Sequence, residues 1–455
     1  MTTAARSSVA TAETPDPAGA APQWTWLQQL GFRLLFIVGA GMLLVTGGVI
    51  LLVTVDVNVV LNNAGRYPLQ SGIWLLAQIG SYLIRGRGVE ITKSAGSDLL
   101  WFWCLHLGWI VVALPIAAVW TVMDRRRSEY RRLAASLIVF ARFGLAVVMI
   151  LYGLGKVIPV QMGFMALPYH QLRLVGDTSL FETLWGFMAA SEPYSVATGL
   201  VEVVSGVLLL WNRTQLLGAL GSVMAMAQVF ILNMAYDVPV KLAVGELLLV
   251  AVGITVPYWS NLARVVFNRG ETRPVEPWLP LGADKGWLRR TGVAAKFGVA
   301  GMMLVFTAAR GAVLFTVYHT PTSTLDGVWR ATSFTVDGRE ATLNQTSPQP
   351  WANVAIADRN KVPEIGVVRF VSQVPAGYTT TWLLKVNGDR LELRTRESDS
   401  AQVLLRATQS DKDHLELTGE LDGRQIRGMF ERRFMQRNES SFRLISPPIP
   451  LDSVR

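Results

Sequence analysis

The chain has 455 residues, of which 51% are hydrophobic and only 16% charged, with a formal net charge of +9. Soluble globular proteins are nearer a quarter charged, and the apolar residues here gather into runs of about 20, the length that crosses a bilayer core as a helix. This excludes a single soluble domain. The excess Lys and Arg lies in short loops between apolar runs, so topology control explains it better than nucleic-acid binding, and no nucleic-acid partner is expected.

Residues 1–25 are rich in Ala, Thr, Ser and Pro without periodicity, and the stretch 1–30 reads as a disordered cytoplasmic tail. It is not a secretory signal, because the first apolar run starts near Phe32 and is too long for one. Seven candidate spans follow, at roughly 31–55, 99–123, 134–158, 194–211, 215–236, 239–257 and 292–318. The loop from Asp124 to Leu133 carries five arginines, and the loop 258–291 is also basic. Positive-inside ordering then puts the N-terminus in the cytoplasm and the C-terminus outside, in a cytoplasmic (inner) membrane. Of the two long outer loops, 56–98 is expected to form interfacial helices. The other, 159–193, contains Ser179-Leu180-Phe181-Glu182, a capping box before an apolar run.

After about residue 320 the long apolar runs stop and alternation at period two begins, as in Leu391-Glu392-Leu393-Arg394 and His414-Leu415-Glu416-Leu417-Thr418. Asp337-Gly338, Asn387-Gly388 and Asp422-Gly423 are hairpin signals. Eight to ten short strands predict a small antiparallel barrel or sandwich. Gly327-Val328-Trp329 resembles the GxW of lipocalin-like barrels, with Trp329 plugging the floor; a ligand inside the barrel is the other reading. The fold class is therefore an α-helical polytopic membrane protein plus a C-terminal antiparallel β-barrel. The divisions are a tail (1–30), two N-terminal helices with their outer loop (31–133), a four-helix membrane domain (134–258), a cytoplasmic linker (259–291), a last helix (292–320) and an extracytoplasmic β domain (321–455).

Cys104 is the only cysteine, and His106, His170, His319 and His414 are scattered. The sequence offers no disulfide, no thiolate or bis-histidine metal site, and no recognisable flavin or haem motif. His106 reads as a packing residue, and Arg142 as snorkelling to the cytoplasmic face. Ionisable residues inside spans cost about 2.5–3.5 kcal/mol each on insertion and default to functional hypotheses. Span three ends in Lys156, span four holds Glu202, the turn between spans five and six holds Asp237 and Lys241, and span six holds Glu246. Glu202 is about eight residues from the outer end of its span, roughly 12 Å deep. All five fall in the outer half, so the expected packing puts Glu202 and Glu246 inside a four-helix unit with Lys156, Asp237 and Lys241 above them. On the structural reading these residues pair with one another, and Asp237 caps the helix that starts near Pro239. On the functional reading Glu202 is the catalytic proton acceptor, and Lys156, Asp237, Lys241 and Glu246 bind a ligand.

At these residues the chain resembles the DoxX-like membrane proteins. The matching features are Gly153-Leu154-Gly155-Lys156, the Gly199-x-x-Glu202-x-x-x-Gly206 helix, and Gly176-Asp177-Thr178-Ser179 followed by Leu184-Trp185-Gly186-Phe187-Met188. Asn233 to Leu242 is similar to a subgroup with extra helices and a C-terminal β domain. The core resemblance covers about residues 136–257. It implies a four-helix membrane unit, with some members linked to thiosulfate–quinone oxidoreduction and others to membrane complexes handling oxidative stress. The similarity to vitamin K epoxide reductase-type bundles brings no dithiol chemistry, since this chain has no cysteine pair. The reading is a non-enzymatic envelope protein that binds a lipid or small ligand or joins a membrane complex with an envelope protein partner. The alternatives are a quinone-linked oxidoreductase, with a quinone as its cofactor, and a transporter.

Overall fold

The computed structural model describes residues 24–44, 46, 63–91, 96–275, 279–342, 345–359, 368–396, 400–433 and 435. The expected tail up to residue 23 and the end of the first expected span lie outside the described residues. The chain divides into two compact units: residues 1–92, 100–138 and 277–281 form one, and residues 93–99, 139–276 and 282–455 the other.

The first unit holds α1 (Trp26–Leu44), α2 (Asn63–Arg85), α3 (Leu100–Met123) and the start of α4 (Arg131–Val157). A capping box, Thr25 with Gln28, starts α1. Arg33 is buried on it, donating from Nε to the Tyr130 hydroxyl (2.8 Å) and from Nη2 to the Asp124 carbonyl (2.9 Å). The 56–98 loop holds helix α2, which packs on α3 and is not among the helices long and apolar enough to cross a membrane. A Cβ at Gly80 would lie 1.9 Å from the Cys104 carbonyl oxygen, and one at Gly108 would lie 1.9 Å from that of Leu76. Only glycine permits such an approach, which is how helices pack closely where lipid offers no hydrophobic drive. His106 is buried and bonded to the Phe102 carbonyl (2.8 Å) and the Thr46 hydroxyl (3.1 Å), as its packing role requires.

The second unit continues α4 and adds α5 (Leu180–Ala190), α6 (Glu192–Leu209), α7 (Gln215–Ala235), α8 (Lys241–Thr255), α9 (Trp259–Val266), α10 (Gly286–His319) and a β-barrel. The capping box of Ser179 and Glu182 forms and starts α5. Among the described residues six helices are long and apolar enough to cross a membrane: α1, α3, α4, α7, the run of α8 into α9, and α10. The chain is an integral membrane protein. The expected span at 194–211 is the 18-residue α6, which is not among the six. Its buried face is polar and small (Ser195, Gly199, Glu202, Ser205, Gly206), while Leu200, Val201 and Val204 on the other side are exposed. Polar groups turned inward lower the hydropathy of a helix that still belongs to a membrane bundle.

Nine strands follow: β1 (Gly327–Val336), β2 (Arg339–Glu340), β3 (Asn353–Ala357), β4 (Arg369–Gln373), β5 (Thr379–Asn387), β6 (Arg390–Arg394), β7 (Val403–Asp411), β8 (His414–Leu421) and β9 (Arg424–Arg432). Every pairing is antiparallel, and β1 pairs with both β3 and β9, so β1 and β3 to β9 close an eight-stranded barrel. Asp337-Gly338 and Asp422-Gly423 form two-residue turns with positive φ at both positions, the geometry that suits the twist of a hairpin. An eight-stranded barrel is just wide enough for side chains to fill. Here Trp329, Trp351, Phe370, Trp382 and Phe430 do so with aliphatic neighbours. Trp329 is fully buried, donates from Nε1 to the Leu325 carbonyl (2.9 Å), and lies under the Arg432 guanidinium, 4.2 Å from its ring centroid. That is the plug expected of it.

The barrel docks on the loop that follows α4. Val328, Ala355 and Val371 face outward yet are buried, because Leu172 packs against them with Tyr169. Gln373 Nε2 donates to the Leu172 carbonyl at 2.8 Å.

Candidate functional site

The site begins with four glycines. A Cβ at Gly153 on α4 would lie 2.7 Å from the Gly199 carbonyl oxygen, and one at Gly199 on α6 would lie 2.6 Å from that of Gly153 and 2.8 Å from Lys156 Cβ. Two turns along, Gly206 meets the Ala146 carbonyl oxygen at 2.9 Å in the same sense, and Gly218 on α7 approaches the backbone of α6 at Ser205 and Leu209. Backbones held this close bring the side chains between them into contact. On α6, Ser195, Gly199, Glu202 and Gly206 are spaced four, three and four apart, so they share one face.

On that face Glu202 reaches Lys156. Nζ of Lys156 donates to Glu202 Oε1 at 2.5 Å, and the two residues are only 8% and 3% exposed. Burial weakens the screening that makes surface ion pairs nearly worthless, but it also removes water from both ions. Glu202 Oε2 is buried and has no hydrogen-bond partner among the described residues. A buried, unpaired carboxylate oxygen costs free energy, so it needs an explanation.

Lys156 also lies in the lining of a small cavity at this end of the bundle. Pro159, Met162, Gly163 and Ala166 from the loop after α4 form one wall, and Met188 and Ala189 from α5 form another. Glu192 and Ser195 from the first turns of α6 and His319 at the end of α10 complete it. His319 Nε2 and Glu192 Oε1 pair at 3.2 Å, and the imidazole stacks on Phe315 with centroids 4.0 Å apart. The Ser195 hydroxyl donates to the Met188 carbonyl at 2.8 Å, which ties α6 to α5. Gly163 is needed under the ring of Tyr318, since a Cβ there would come within 2.5 Å. The cavity thus has apolar sides, an ammonium among its lining groups, and an imidazole–carboxylate pair beside them.

Asp237 and Lys241 belong to a separate group. Asp237 adopts positive φ (+50°) just after α7, a conformation that Asp tolerates, and Val238 N donates back to the Asn233 carbonyl at 3.0 Å to close the helix end. The expectation that Asp237 caps the next helix is corrected, because Asp98 does so from a distant part of the chain. Its carboxylate accepts from the backbone N–H of Lys241 (2.9 Å) and of Leu242 (2.9 Å), while the Ser97 hydroxyl accepts from Ala243 N–H (3.1 Å). Lys241 Nζ lies 2.8 Å from Asp237 and 3.3 Å from Asp98, and the Asp237 side chain is largely exposed. Sequence spacing could not find Asp98, which lies 143 residues before Lys241. Glu246 is partly buried, five residues further along α8 than Lys241. The structure therefore joins Lys156 with Glu202, and Lys241 with Asp237 and Asp98, in place of the single cluster expected. It adds Glu192, Ser195 and His319, which are too far apart in sequence from Lys156 to form a motif.

Outside the membrane helices, the docking loop holds a titratable group under constraint. Burial, with the nearby Arg173 adding to it, pushes His170 down to about 4. Its Nδ1 is buried without a partner among the described residues, and its ring lies against Tyr169 and Phe164.

No family model, curated protein or solved structure matches the chain.

Proposed function

We propose that this is a ligand-binding protein of the cytoplasmic (inner) membrane, built on a DoxX-like bundle, that holds a lipid-like or small molecule with a polar head over Lys156 and Glu202. The reading is non-enzymatic. The observation that carries it is the buried Lys156–Glu202 pair beside a cavity, with one carboxylate oxygen of Glu202 left unpartnered. An ion pair kept only for stability gains little over apolar residues of the same volume. One whose lysine also lines a cavity offers an ammonium donor to a head group, with Met162, Met188 and Ala166 among the other lining residues. The basic loops at 124–133 and 258–291 support an orientation with the N-terminus cytoplasmic and the barrel outside. The barrel, docked beside the same loop, serves in this reading as the cover of that face and as the surface for an envelope protein partner.

Native mass spectrometry of the detergent-purified protein, with organic extraction of whatever co-purifies, tests the proposal. A stoichiometric small molecule is expected on the wild-type chain. It should be lost in Ala189→Phe, which fills the cavity beside Lys156, and weakened in Glu202→Gln. A wild-type mass free of any small molecule would remove the proposal. If the extracted molecule is a quinone, the alternative of a quinone-linked oxidoreductase takes its place.

A further inference from the structure

A second polar group lies at the opposite end of the bundle. Arg142 and Lys156 are fourteen residues apart on α4, so about 21 Å separates them along the axis. Arg142, expected to snorkel to the cytoplasmic face, is only 6% exposed. Its Nη1 donates to Gln215 Oε1 at the start of α7, and Gln215 Nε2 donates to the Tyr258 hydroxyl at 2.5 Å. Lys296 on α10 donates to the Leu210 carbonyl at the end of α6 and lies over the ring of Phe297, 4.8 Å from its centroid. Arg142 and Lys296 are near enough for their charges to repel. Among the described residues, neither has a carboxylate within ion-pair distance.

This arrangement is the reverse of what stability alone favours. A buried charge is ordinarily paired, and two like charges brought together without a counter-ion oppose each other. A guanidinium has five N–H donors and an ammonium three, whereas each of these groups uses one on a neutral oxygen. The Tyr258 hydroxyl accepts from Gln215, which leaves its own hydrogen to be donated. Arg142 and Tyr258 thus share Gln215, and Lys296 lies near enough to feel the Arg142 charge, with no carboxylate bonded to either cation among the described residues. Trp211 and Trp259, both exposed, flank the group in sequence, and exposed Trp at a bundle end marks the level of lipid head groups.

We propose that Arg142, Lys296 and Tyr258 form a binding site for a phosphate group, supplied by the head of an anionic phospholipid. Basic pockets between membrane helices at the cytoplasmic side take such head groups, and a guanidinium matches two phosphate oxygens at once. The apolar faces beside the site, at Phe297 and Trp211, suit the acyl chains. The site is independent of the cavity at the other end.

The test uses the full-length protein, delipidated in detergent and offered phosphatidylglycerol, phosphatidylcholine or inorganic phosphate. Thermal shift and lipid retention by native mass spectrometry are the two readouts. Wild type is expected to retain phosphatidylglycerol at least tenfold better than phosphatidylcholine. Each cation removed should reduce that preference by roughly fivefold. Lys296→Gln should weaken it, and Arg142→Gln with Lys296→Gln should abolish it. Lys296 makes one hydrogen bond, to the Leu210 carbonyl, and no ion pair among the described residues, so if the double variant does not fold, Lys296→Gln alone carries the test. Stabilisation by millimolar inorganic phosphate equal to that by phosphatidylglycerol would overturn the lipid as the source. A preference unchanged in Lys296→Gln would overturn the site.

Discussion

The Lys156–Glu202 pair makes a stability prediction that does not depend on any ligand. Lys156→Met leaves a buried carboxylate with neither oxygen partnered, since Oε2 already lacks one. Glu202→Leu leaves the ammonium buried without its anion. Removing one member of a buried pair costs about 3–5 kcal/mol, because the survivor keeps its desolvation penalty. Glu202→Gln keeps an acceptor oxygen 2.5 Å from Nζ and should cost less than Glu202→Leu. The combined Lys156→Met/Glu202→Leu variant fills the same space with apolar chains of similar length. It should recover most of the loss and fall between neutral and about 1–4 kcal/mol more stable than wild type. The coupling energy in this cycle is then at least about 6 kcal/mol. Unfolding in mixed micelles, followed by near-UV circular dichroism, measures all four proteins. Single variants within about 0.5 kcal/mol of wild type, or a double variant equal to the sum of the singles, would refute the reasoning.

Three other outcomes follow from the geometry. Gly199→Val places a Cβ 2.6 Å from the Gly153 carbonyl oxygen, so α4 and α6 must separate; a loss of about 1–3 kcal/mol is expected in the same unfolding assay, more than for Gly144→Ala, where no atom lies within 4 Å. His170 is held at about 4 against 6.5 when free, so an unfolded chain takes up the proton first as pH falls. Its contribution is complete above about pH 6.5 and is lost as pH drops towards 4, up to about 3 kcal/mol and less for a half-buried ring; hydrogen exchange over residues 163–172 should accelerate across that window in wild type and not in His170→Phe. Trp329→Ala should cost the barrel about 3–5 kcal/mol, read from its urea transition, since the ring is fully buried and also lies under Arg432.

Much of this architecture is legible in the sequence where the physics is local. Period-two alternation and the Asp-Gly pairs give the barrel, because side chains alternate in a strand and Asp-Gly accepts positive φ at both turn positions. The Ser179 capping box works within one turn of helix. The spacing Gly199-x-x-Glu202-x-x-x-Gly206 anticipates a close helix contact with a charge inside it, and α4 supplies both the glycine and the lysine. Hydropathy is weakest where a helix hides polar groups: α6 carries serine and glutamate on its packed face, and it falls short of the six apolar helices although its run is an expected span. Asp98 was illegible because the partner of a helix N-terminus need not be near it in sequence, and Asp237, adjacent to the turn, was the plausible local substitute.

The separation of the ionisable residues into two groups changes what each lysine can do. Lys241 has two carboxylates, and one of them also holds two backbone N–H groups at the start of α8. That ammonium is already neutralised, and its role is to fix the turn between α7 and α8. Lys156 has one carboxylate oxygen and borders a cavity. Lys156 uses one of its three N–H donors on Glu202 and lines the cavity, so it, rather than Lys241, is placed to meet a guest there. The close packing at Gly153 and Gly199 is the structural condition for the site: a wider helix pair would let water reach Glu202 and reduce the ion pair to the weak value of an exposed one.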